Sequence, residues 1–599
     1  MTLASRCCDA LAALCSSLLW AAGAQATAAA PAPGSLSYIA EAGRHPWTGR
    51  LLALALPSGE QGAAQAMPMP AWEAGALLDA RDPDSRRLFS AQEAPDGMPP
   101  YLVTLRWETL DTSTRDLLAQ ASDDGRPDDQ GRQRLARLRG AWPAANQPVH
   151  LSPTAPGRLG RPAGTPPVLV PPPIWIPGRP GHAEFAVQHS ARRALVWLGT
   201  HDGMLHAFDA SSGEEILAYL PRGLLKESAA WSSRALRSSA APAAQAAEAT
   251  PPAAPCPYPE AADVALEPGR WRTVLLCGFP TSIPDPARPA VQRAPAGVFV
   301  LDITDTAAQP PLGLLWEAQA SDALPLAPAG PVRALALATA KGQRWYAMVA
   351  LAAAHGGQRQ SGKAHDTRPG HRAGLALLPL DKPAHAPWQG RHAVPRLQLP
   401  ASGCGTATSS PALLAATVLP DFAGAALAAY AVDAVGRLWR FDLHGDPPWH
   451  DSDNRVRCIH RAESQTPSPP RATPPTGAPA APAPVIVSAP GGHLVVYGGG
   501  NHITAVFDHA TLASASESGS QPRRISAQAR EGGVVLRRQP CAPDCLGMAG
   551  WHLPLPNPGE RLDRILAADT GYLGLVTRTP DARQRIYLVH ALSGESIAR

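Results

Sequence analysis

Two histidines flank a tight turn in the chain and could together bind a metal ion. His201 and His206 stand on either side of Asp202-Gly203, and apolar runs precede and follow this turn. Residues on the two arms of a β-hairpin approach each other closely, so the two imidazoles could share a ligand. The alternative is that both are turn and packing residues of a structural repeat. We favour the structural interpretation and predict no metal site at these residues.

Sequence motifs for nucleophilic or phosphate chemistry are missing. No Gly-x-Ser-x-Gly elbow occurs, and Gly498-Gly499-Gly500 is not followed by the Lys-Ser/Thr pair of a phosphate loop. The net charge of +4 over 599 residues is small, and no basic run is interleaved with aromatic residues. We therefore predict no catalytic residue and no nucleic-acid partner.

An N-terminal signal peptide is predicted over residues 1–26. An apolar stretch from Ala10 to Ala22 precedes the Ala-Gln-Ala sequence at 24–26, which has the small-x-small pattern that signal peptidase accepts. An Ala/Pro-rich spacer follows over 27–35. The alternatives are an uncleaved anchor or a lipoprotein signal, but Cys15 lies inside the apolar stretch and not at its end. We expect an exported protein with no transmembrane segment after cleavage.

Export would place the remaining cysteines in an oxidising compartment. The six are Cys256, Cys277, Cys404, Cys458, Cys541 and Cys545. An even number in such a compartment favours disulfides, and we predict a pair between Cys541 and Cys545, whose Ala-Pro-Asp spacer can close a small loop. The competing interpretation is a zinc site that also uses His552, but no second ligand pair at metal spacing is present. The other four cysteines cannot be paired from the sequence.

A short strand, a turn and a second strand recur along the chain. The run from Leu195 to Gly199 leads through Asp202-Gly203 into the run from Met204 to Asp209. An Asp-Gly pair between apolar runs is a strong hairpin signal, because glycine adopts the positive φ that primed turns require. Related copies span Gly297 to Asp302, Gly436 to Asp442 and Ile586 to Glu595. The pattern predicts an all-β fold, a quinoprotein-like β-propeller of roughly seven irregular blades.

Two low-complexity segments interrupt this pattern. Residues 228–264 and 464–484 are rich in Ala, Pro and Ser and have little to bury, so we predict disordered insertions there. Helical periodicity is confined to Thr114 to Ala119 and Gln133 to Arg139.

Short motifs spread over most of residues 36–599 carry a family resemblance. They are Trp47 to Gly49, Trp72 to Gly75, Trp107 to Leu110, Leu138 to Gly140, Val196 to Pro221, Trp271 to Leu276, Val300 to Asp302, Tyr430 to Asp433, Gly436 to Leu443, Val495 to Gly500, Gly550-Trp551 and Gly559 to Arg561. In this order they resemble the C-terminal propeller domain of PilY-type pilus tip-associated adhesins. The family usually carries a large N-terminal region, often with a von Willebrand factor A-like domain. Here the resemblance begins almost at the signal peptide, so we expect no such domain.

The resemblance implies a non-enzymatic type IV pilus biogenesis factor. It would act at the pilus tip, in the periplasm or at the cell surface through contacts with minor pilins and other pilus proteins. Adhesion to a host or surface receptor would be a further role. One alternative is a quinoprotein-like propeller enzyme, suggested by Ala207, Asp209 and Gly213, but the mature chain has no vicinal cysteine pair. The other alternative is a general scaffold of the cell envelope.

Calcium is disfavoured as a cofactor. The family commonly places an acidic, EF-hand-like loop before one of its strand pairs, and the corresponding stretch here is 421–427. Asp421 is retained, but Ala423 and Leu427 stand where carboxylates would be expected. Because Ca²⁺ takes six to eight oxygen ligands, one carboxylate is too few. We interpret Asp421 as a remnant of a lost calcium loop and predict no cofactor.

Overall fold

A computed structural model describes residues 36–599 with several gaps. The gaps are 43–46, 56–69, 94–99, 123–125, 142–156, 164–165, 240–252, 283–293, 354–371, 401–403, 405–411, 448, 450–452, 462–481, 490, 500, 510–522, 531–532, 539–549, 569–570, 582 and 597–599. The predicted signal peptide and spacer, and Cys541 and Cys545, lie outside the described residues.

Seven β-sheets form the seven blades of a β-propeller. Blade 1 contains β1 (Leu36–Ala42), β2 (Gly49–Ala55) and β3 (Pro70–Glu73). Blade 2 contains β4 (Leu88–Gln92), β5 (Tyr101–Thr104), β6 (Val168–Val170), β7 (Leu195–Gly199), β8 (Leu205–Asp209) and β9 (Glu215–Tyr219). Blade 3 contains β10 (Glu260–Glu267), β11 (Arg270–Phe279), β12 (Gly297–Asp302) and β13 (Gly313–Gln319). Blade 4 contains β14 (Arg333–Thr339), β15 (Gly342–Leu351), β16 (Gly374–Pro379) and β17 (Arg396–Gln398).

The remaining three blades complete the series. Blade 5 contains β18 (Leu413–Pro420), β19 (Ala426–Asp433), β20 (Arg437–Asp442) and β21 (Val456–Arg461). Blade 6 contains β22 (Val485–Ala489), β23 (Gly492–Gly499), β24 (His502–His509), β25 (Arg523–Arg530), β26 (Gly533–Arg538) and β27 (Gly550–Pro554). Blade 7 contains β28 (Arg561–Ala568), β29 (Tyr572–Arg578) and β30 (Gln584–His590).

Helices lie mainly in the first third of the chain. The α-helices are α1 (Ala74–Ala80), α2 (Thr112–Ala119), α3 (Gly131–Leu138), α4 (His182–Gln188) and α5 (Arg222–Ser239). Single 3₁₀ turns span Pro83–Ser85, Trp107–Thr109, Gly390–His392 and Asp453–Arg455. No helix of the described residues has the length and apolarity needed to cross a membrane.

Blades 3, 4 and 5 are plain four-stranded antiparallel meanders, whereas blade 2 is assembled from distant parts of the chain. Its spatial order is β5-β4-β9-β8-β7-β6, and β4 runs parallel to β9. The first strands of blades 3 to 6 contact one another in succession, as expected for strands around the central channel of a propeller.

The hydrophobic core is divided into clusters that lie between neighbouring blades. Separate clusters join blades 1 and 2, 2 and 3, 3 and 4, 4 and 5, 5 and 6, and 6 and 7. Because both faces of a blade are covered, all five residues of β7 are buried. A side chain the size of leucine contributes roughly 1.5–3 kcal/mol when fully buried in this way.

Two tryptophans pack on glycines of the following blade. A Cβ atom added to Gly213 of blade 2 would lie 2.6 Å from the ring of Trp72 in blade 1. A Cβ atom added to Gly594, after blade 7, would lie 2.7 Å from the ring of Trp551 in blade 6. Both glycines also have positive φ, so each closes its turn and leaves room for the indole.

The predicted all-β propeller is confirmed, as are the helical segments at α2 and α3. The predicted insertion over 228–264 is wrong at both ends. Its beginning belongs to α5, where Trp231 is buried and stacks on Trp47 at 4.9 Å, and its end belongs to β10. Alanine-rich sequence is typical of low complexity, but alanine is also the best helix former. Of the second predicted insertion, 464–481 lies outside the described residues.

Candidate functional site

The turn between β7 and β8 holds a buried cluster of charged side chains. Asp202 opens the turn and accepts hydrogen bonds from the Thr200 hydroxyl at 2.5 Å and the Met204 N–H at 2.9 Å. Four residues later, His206 Nε2 lies 3.1 Å from Asp202 Oδ2, and its Nδ1 lies 2.8 Å from Glu215 Oε1 on β9. The imidazole is therefore held between two carboxylates.

This arrangement keeps His206 positively charged. Carboxylates only accept hydrogen bonds when ionised, so both ring nitrogens must donate, which requires the imidazolium form. Burial opposes that form, but attraction to Asp202 and the hydrogen bonds to both carboxylates outweigh it and raise the pKa of His206 to about 9. Burial also opposes the charge of Asp202 and Glu215, yet their cationic partners lower the pKa of each carboxyl.

Arg86 completes the cluster from outside the repeat. Its Nε and Nη2 each donate to one oxygen of Glu215 at 2.8 Å, and its Nη1 donates to the carbonyl oxygen of Arg139 at 3.1 Å. Arg139, just after α3, donates in turn to carbonyl oxygens of Pro83, Asp84, Leu105 and Arg86. Bidentate arginine–carboxylate pairs of this kind fix orientation as well as charge. The cluster thus ties the segment around 83–139, which supplies β4 and β5, to strands β7, β8 and β9 of the same blade.

The cluster is sealed from solvent. Arg86, Asp202, His206 and Glu215 are each no more than 4% exposed. Two cations and two anions balance, as buried charges require. No substrate could reach these groups without opening the blade. The geometry therefore suits a cluster that stabilises the fold, and not a catalytic site.

His201 and His206 do not act as a pair. Glu215 and Asp202 engage both ring nitrogens of His206, so neither nitrogen is left to share a metal ion with His201. Within the described ranges, no three His, Cys, Asp or Glu side chains are grouped so as to hold a metal ion. The metal alternative for this turn therefore gains no support.

Blade 5 places an aspartate in the equivalent turn, between its second and third strands. Asp433 accepts from the N–H groups of Val435 and Arg437, both at 3.0 Å. Its other oxygen accepts from Arg437 Nε at 2.7 Å and from Trp439 Nε1 at 2.8 Å. Arg437 also donates to the carbonyl oxygen of Cys404 at 3.1 Å. The aspartate is 1% exposed, as is Asp202, but its cation is an arginine.

Two disulfides join the cysteines that the sequence could not pair. Cys256 bonds to Cys277, and Cys404 bonds to Cys458. The first bridge packs against blade 2, because a Cβ atom added to Gly199 would lie 2.8 Å from the Cys256 oxygen. No sequence signal identified these pairs, since 21 and 54 residues separate their members. The prediction for Cys541 and Cys545 falls outside the described residues and stays a prediction.

The turn that resembles a lost calcium loop is closed by its own aspartate. Asp421 Oδ1 accepts from the Ala425 N–H at 2.8 Å, and the Asp421 N–H donates to the Ala425 carbonyl oxygen at 2.7 Å. Next to it, Phe422 is fully exposed. The carboxylate is therefore used as a turn cap, which is a role that does not need an ion. The absence of calcium remains a prediction.

Comparison with known proteins gives relatives from the type IV pilus system. No family model matches the chain. Over 426 residues it is 25% identical to the type IV pilus biogenesis factor PilY1 of Pseudomonas aeruginosa, covering 68% of this chain and 31% of that protein. Over 48 residues it is 48% identical to a type IV pilus biogenesis factor PilY1 homolog of Xylella fastidiosa, covering 8% of this chain and 4% of that protein. The chain thus spans less than a third of either relative.

The solved structures include a similar domain. The crystal structure of the Pseudomonas aeruginosa PilY1 C-terminal domain aligns with a TM-score of 0.45 and 20% identity, over 72% of this chain and 87% of that domain. The curated relatives confirm the resemblance to PilY-type proteins that the sequence motifs indicated.

Proposed function

We propose that this protein is a type IV pilus biogenesis factor that acts through protein–protein contacts and not by catalysis. The single observation that carries the proposal is the similarity over 426 residues to a relative named as such a factor. The closed charge cluster of blade 2 supports it, because its acid and base side chains are inaccessible to a substrate.

We place the protein in the cell envelope or at the cell surface. The predicted signal peptide supports export, and the pilus context of the relatives supports a position at the pilus tip or in the periplasm. Its partners would then be minor pilins and other pilus proteins, with adhesion to a receptor as a further role.

Gene deletion tests the proposal directly. We expect fewer surface pili and reduced twitching, and we expect a block of pilus retraction to restore piliation in part, because the factor would favour assembly over retraction. Re-expression of the full chain should restore both phenotypes. Normal pili and twitching in a deletion strain without a second gene copy would reject the proposal. Quinone absorbance in the purified protein would instead support the enzyme alternative.

A further inference from the structure

A cavity lies beside the first strands of blades 5, 6 and 7. Its volume is about 610 Å³, which lies within the usual range of ligand pockets. Residues from β18, β22 and β28 form most of its wall, and Arg333 at the start of β14 contributes from blade 4. The cavity therefore follows these first strands instead of lying between outer loops.

The backbone along this cavity is available for pairing. In the described sheets, β18, β22 and β28 are each the terminal strand of their blade, so each has one edge outside any ladder. An exposed strand edge carries free N–H and C=O groups that can take up an extended peptide. A peptide main chain matches this surface better than a compact small molecule does.

The side chains of the wall combine apolar surface with positive charge. Leu419, Ile486 and Leu566 supply apolar contacts. Arg564 is exposed and forms no ion pair among the described residues. None of the described residues that line the cavity is an Asp or a Glu. The neighbouring Asp563 is engaged by Arg578 at 3.3 Å.

Two further polar groups of the wall have hydrogen-bonding capacity left over. The Nδ1 atom of His493 is buried and has no hydrogen-bond partner among the described residues. Arg333 is ion-paired with Glu260, which offsets its charge, but its Nε is also buried without a partner there. Buried polar groups usually find partners, so unsatisfied ones in a cavity wall mark positions where a bound group could bond.

We infer that this cavity binds an extended segment of a partner protein that carries carboxylates next to apolar side chains. Its main chain would pair with the edge of one of these first strands, its carboxylates would meet Arg564, and its apolar side chains would cover Leu419, Ile486 and Leu566. The inference goes beyond the proposed function, because it holds whether or not the partner is a pilus protein. Peptide binding in vitro can thus succeed or fail independently of piliation.

Fluorescence anisotropy with a synthetic probe tests the inference on the full chain. The probe is a fluorescein-labelled, end-blocked octapeptide of alternating leucine and aspartate. We expect saturable binding that weakens with salt, at least tenfold weaker binding of the leucine–lysine octapeptide, and no comparable competition by succinate. Equal binding of the two octapeptides would overturn the inference, and competition by succinate at similar concentration would show a small-anion site instead.

A matched pair of variants locates the probe. Arg564→Glu should weaken binding at least tenfold, whereas Arg561→Glu, an exposed position of the same strand outside the cavity wall, should leave it within about twofold. Equal effects of the two variants would overturn the assignment. If Arg564→Glu does not fold, crosslinking of a benzophenone-bearing probe to the unmodified protein still shows where the probe binds. Crosslinks to β18, β22 or β28 support the site, and crosslinks confined to other strands reject it.

Discussion

Blades 2 and 5 each place an aspartate in the turn between the second and third strands, at different positions, and neutralise it with different cations. Asp202 directly precedes the turn glycine Gly203, whereas Asp433 lies three residues before Gly436. Asp202 and Asp433 are both buried, and each bonds the side chain four residues later. In blade 2 that side chain is His206, which is a cation only when its imidazole is protonated. His206 also contacts Glu215, which in turn pairs with Arg86. In blade 5 that side chain is Arg437, which also donates to the carbonyl oxygen of Cys404 in the Cys404–Cys458 bridge. We therefore expect the turn of blade 2 to respond to pH, whereas the turn of blade 5 lies next to a disulfide.

The largest expected effect comes from removing the charge of Glu215. Glu215→Gln leaves Arg86 and His206 buried with one carboxylate between them, and breaking such a buried pair costs about 3–5 kcal/mol. Chemical denaturation should show a corresponding fall in the free energy of unfolding. Glu41→Gln, in an exposed ion pair with Arg50, is the control and should cost less than about 1 kcal/mol. Equal losses in both variants would show that blade 2 does not depend on its cluster.

The covalent side of the comparison is tested by removing the bridge of blade 5. Cys404→Ser with Cys458→Ser opens a loop of 54 residues, which corresponds to about 4 kcal/mol of unfolded-state entropy. Removing the 21-residue bridge between Cys256 and Cys277 should cost about 3 kcal/mol. The melting temperatures of the two double variants, compared with that of the unmodified protein with and without reductant, measure both losses of stability.

The predicted bridge between Cys541 and Cys545 has the shortest loop and should cost the least, near the lower end of the typical ~2–4 kcal/mol. Thiol labelling of the native, non-reduced protein provides the check on all three pairs. Labelling of Cys404 and Cys458 would contradict the bridge in blade 5, and labelling of Cys541 and Cys545 would contradict the third pair.

A pH titration of stability should separate the two turns. The folded-state pKa of His206 is raised to about 9 from an ordinary value near 6.5. The contribution of His206 to the free energy of unfolding is therefore complete below about pH 6.5. It is lost as pH rises towards about 9, by up to about 3 kcal/mol. The melting temperature should fall across this window, and His206→Gln should remove most of the slope. A slope that His206→Gln leaves unchanged would contradict the assignment.

The smallest effect is expected at Asp421, in the first turn of blade 5. Asp421→Ala removes a cap on the Ala425 N–H and should cost about 0.5–1.5 kcal/mol. Chelators should leave the melting temperature unchanged, and piliation should be unaffected by this variant. Titration calorimetry provides the decisive measurement. A stoichiometric calcium site of micromolar affinity that Asp421→Ala abolishes would overturn our interpretation of this loop.

The propeller was predictable because its signal is local and repeated. Asp202-Gly203 and Gly436 sit at hairpin turns that the sequence marks directly, and the glycine φ values there are positive, as expected. The charge cluster was not predictable in full. His206 and Asp202 were named as neighbours, but Arg86 lies 129 residues from Glu215, and nothing in the sequence pairs them. The same holds for both observed disulfides, whose partners are brought together only by the fold.

The composition of blade 2 also determines how the protein behaves when its chain is cut. β4 and β5 come from residues 88–104, the other strands come from 168–219, and β4–β9 pairing with the Arg86–Glu215 bond joins the two stretches. A single proteolytic break between residues 141 and 157 would therefore divide the polypeptide without dividing the sheet. The two fragments should run separately on a denaturing gel and elute together in gel filtration. The first 140 residues and the remainder are in this sense the two parts of a split protein. When they are co-expressed as separate chains, they should assemble into one propeller.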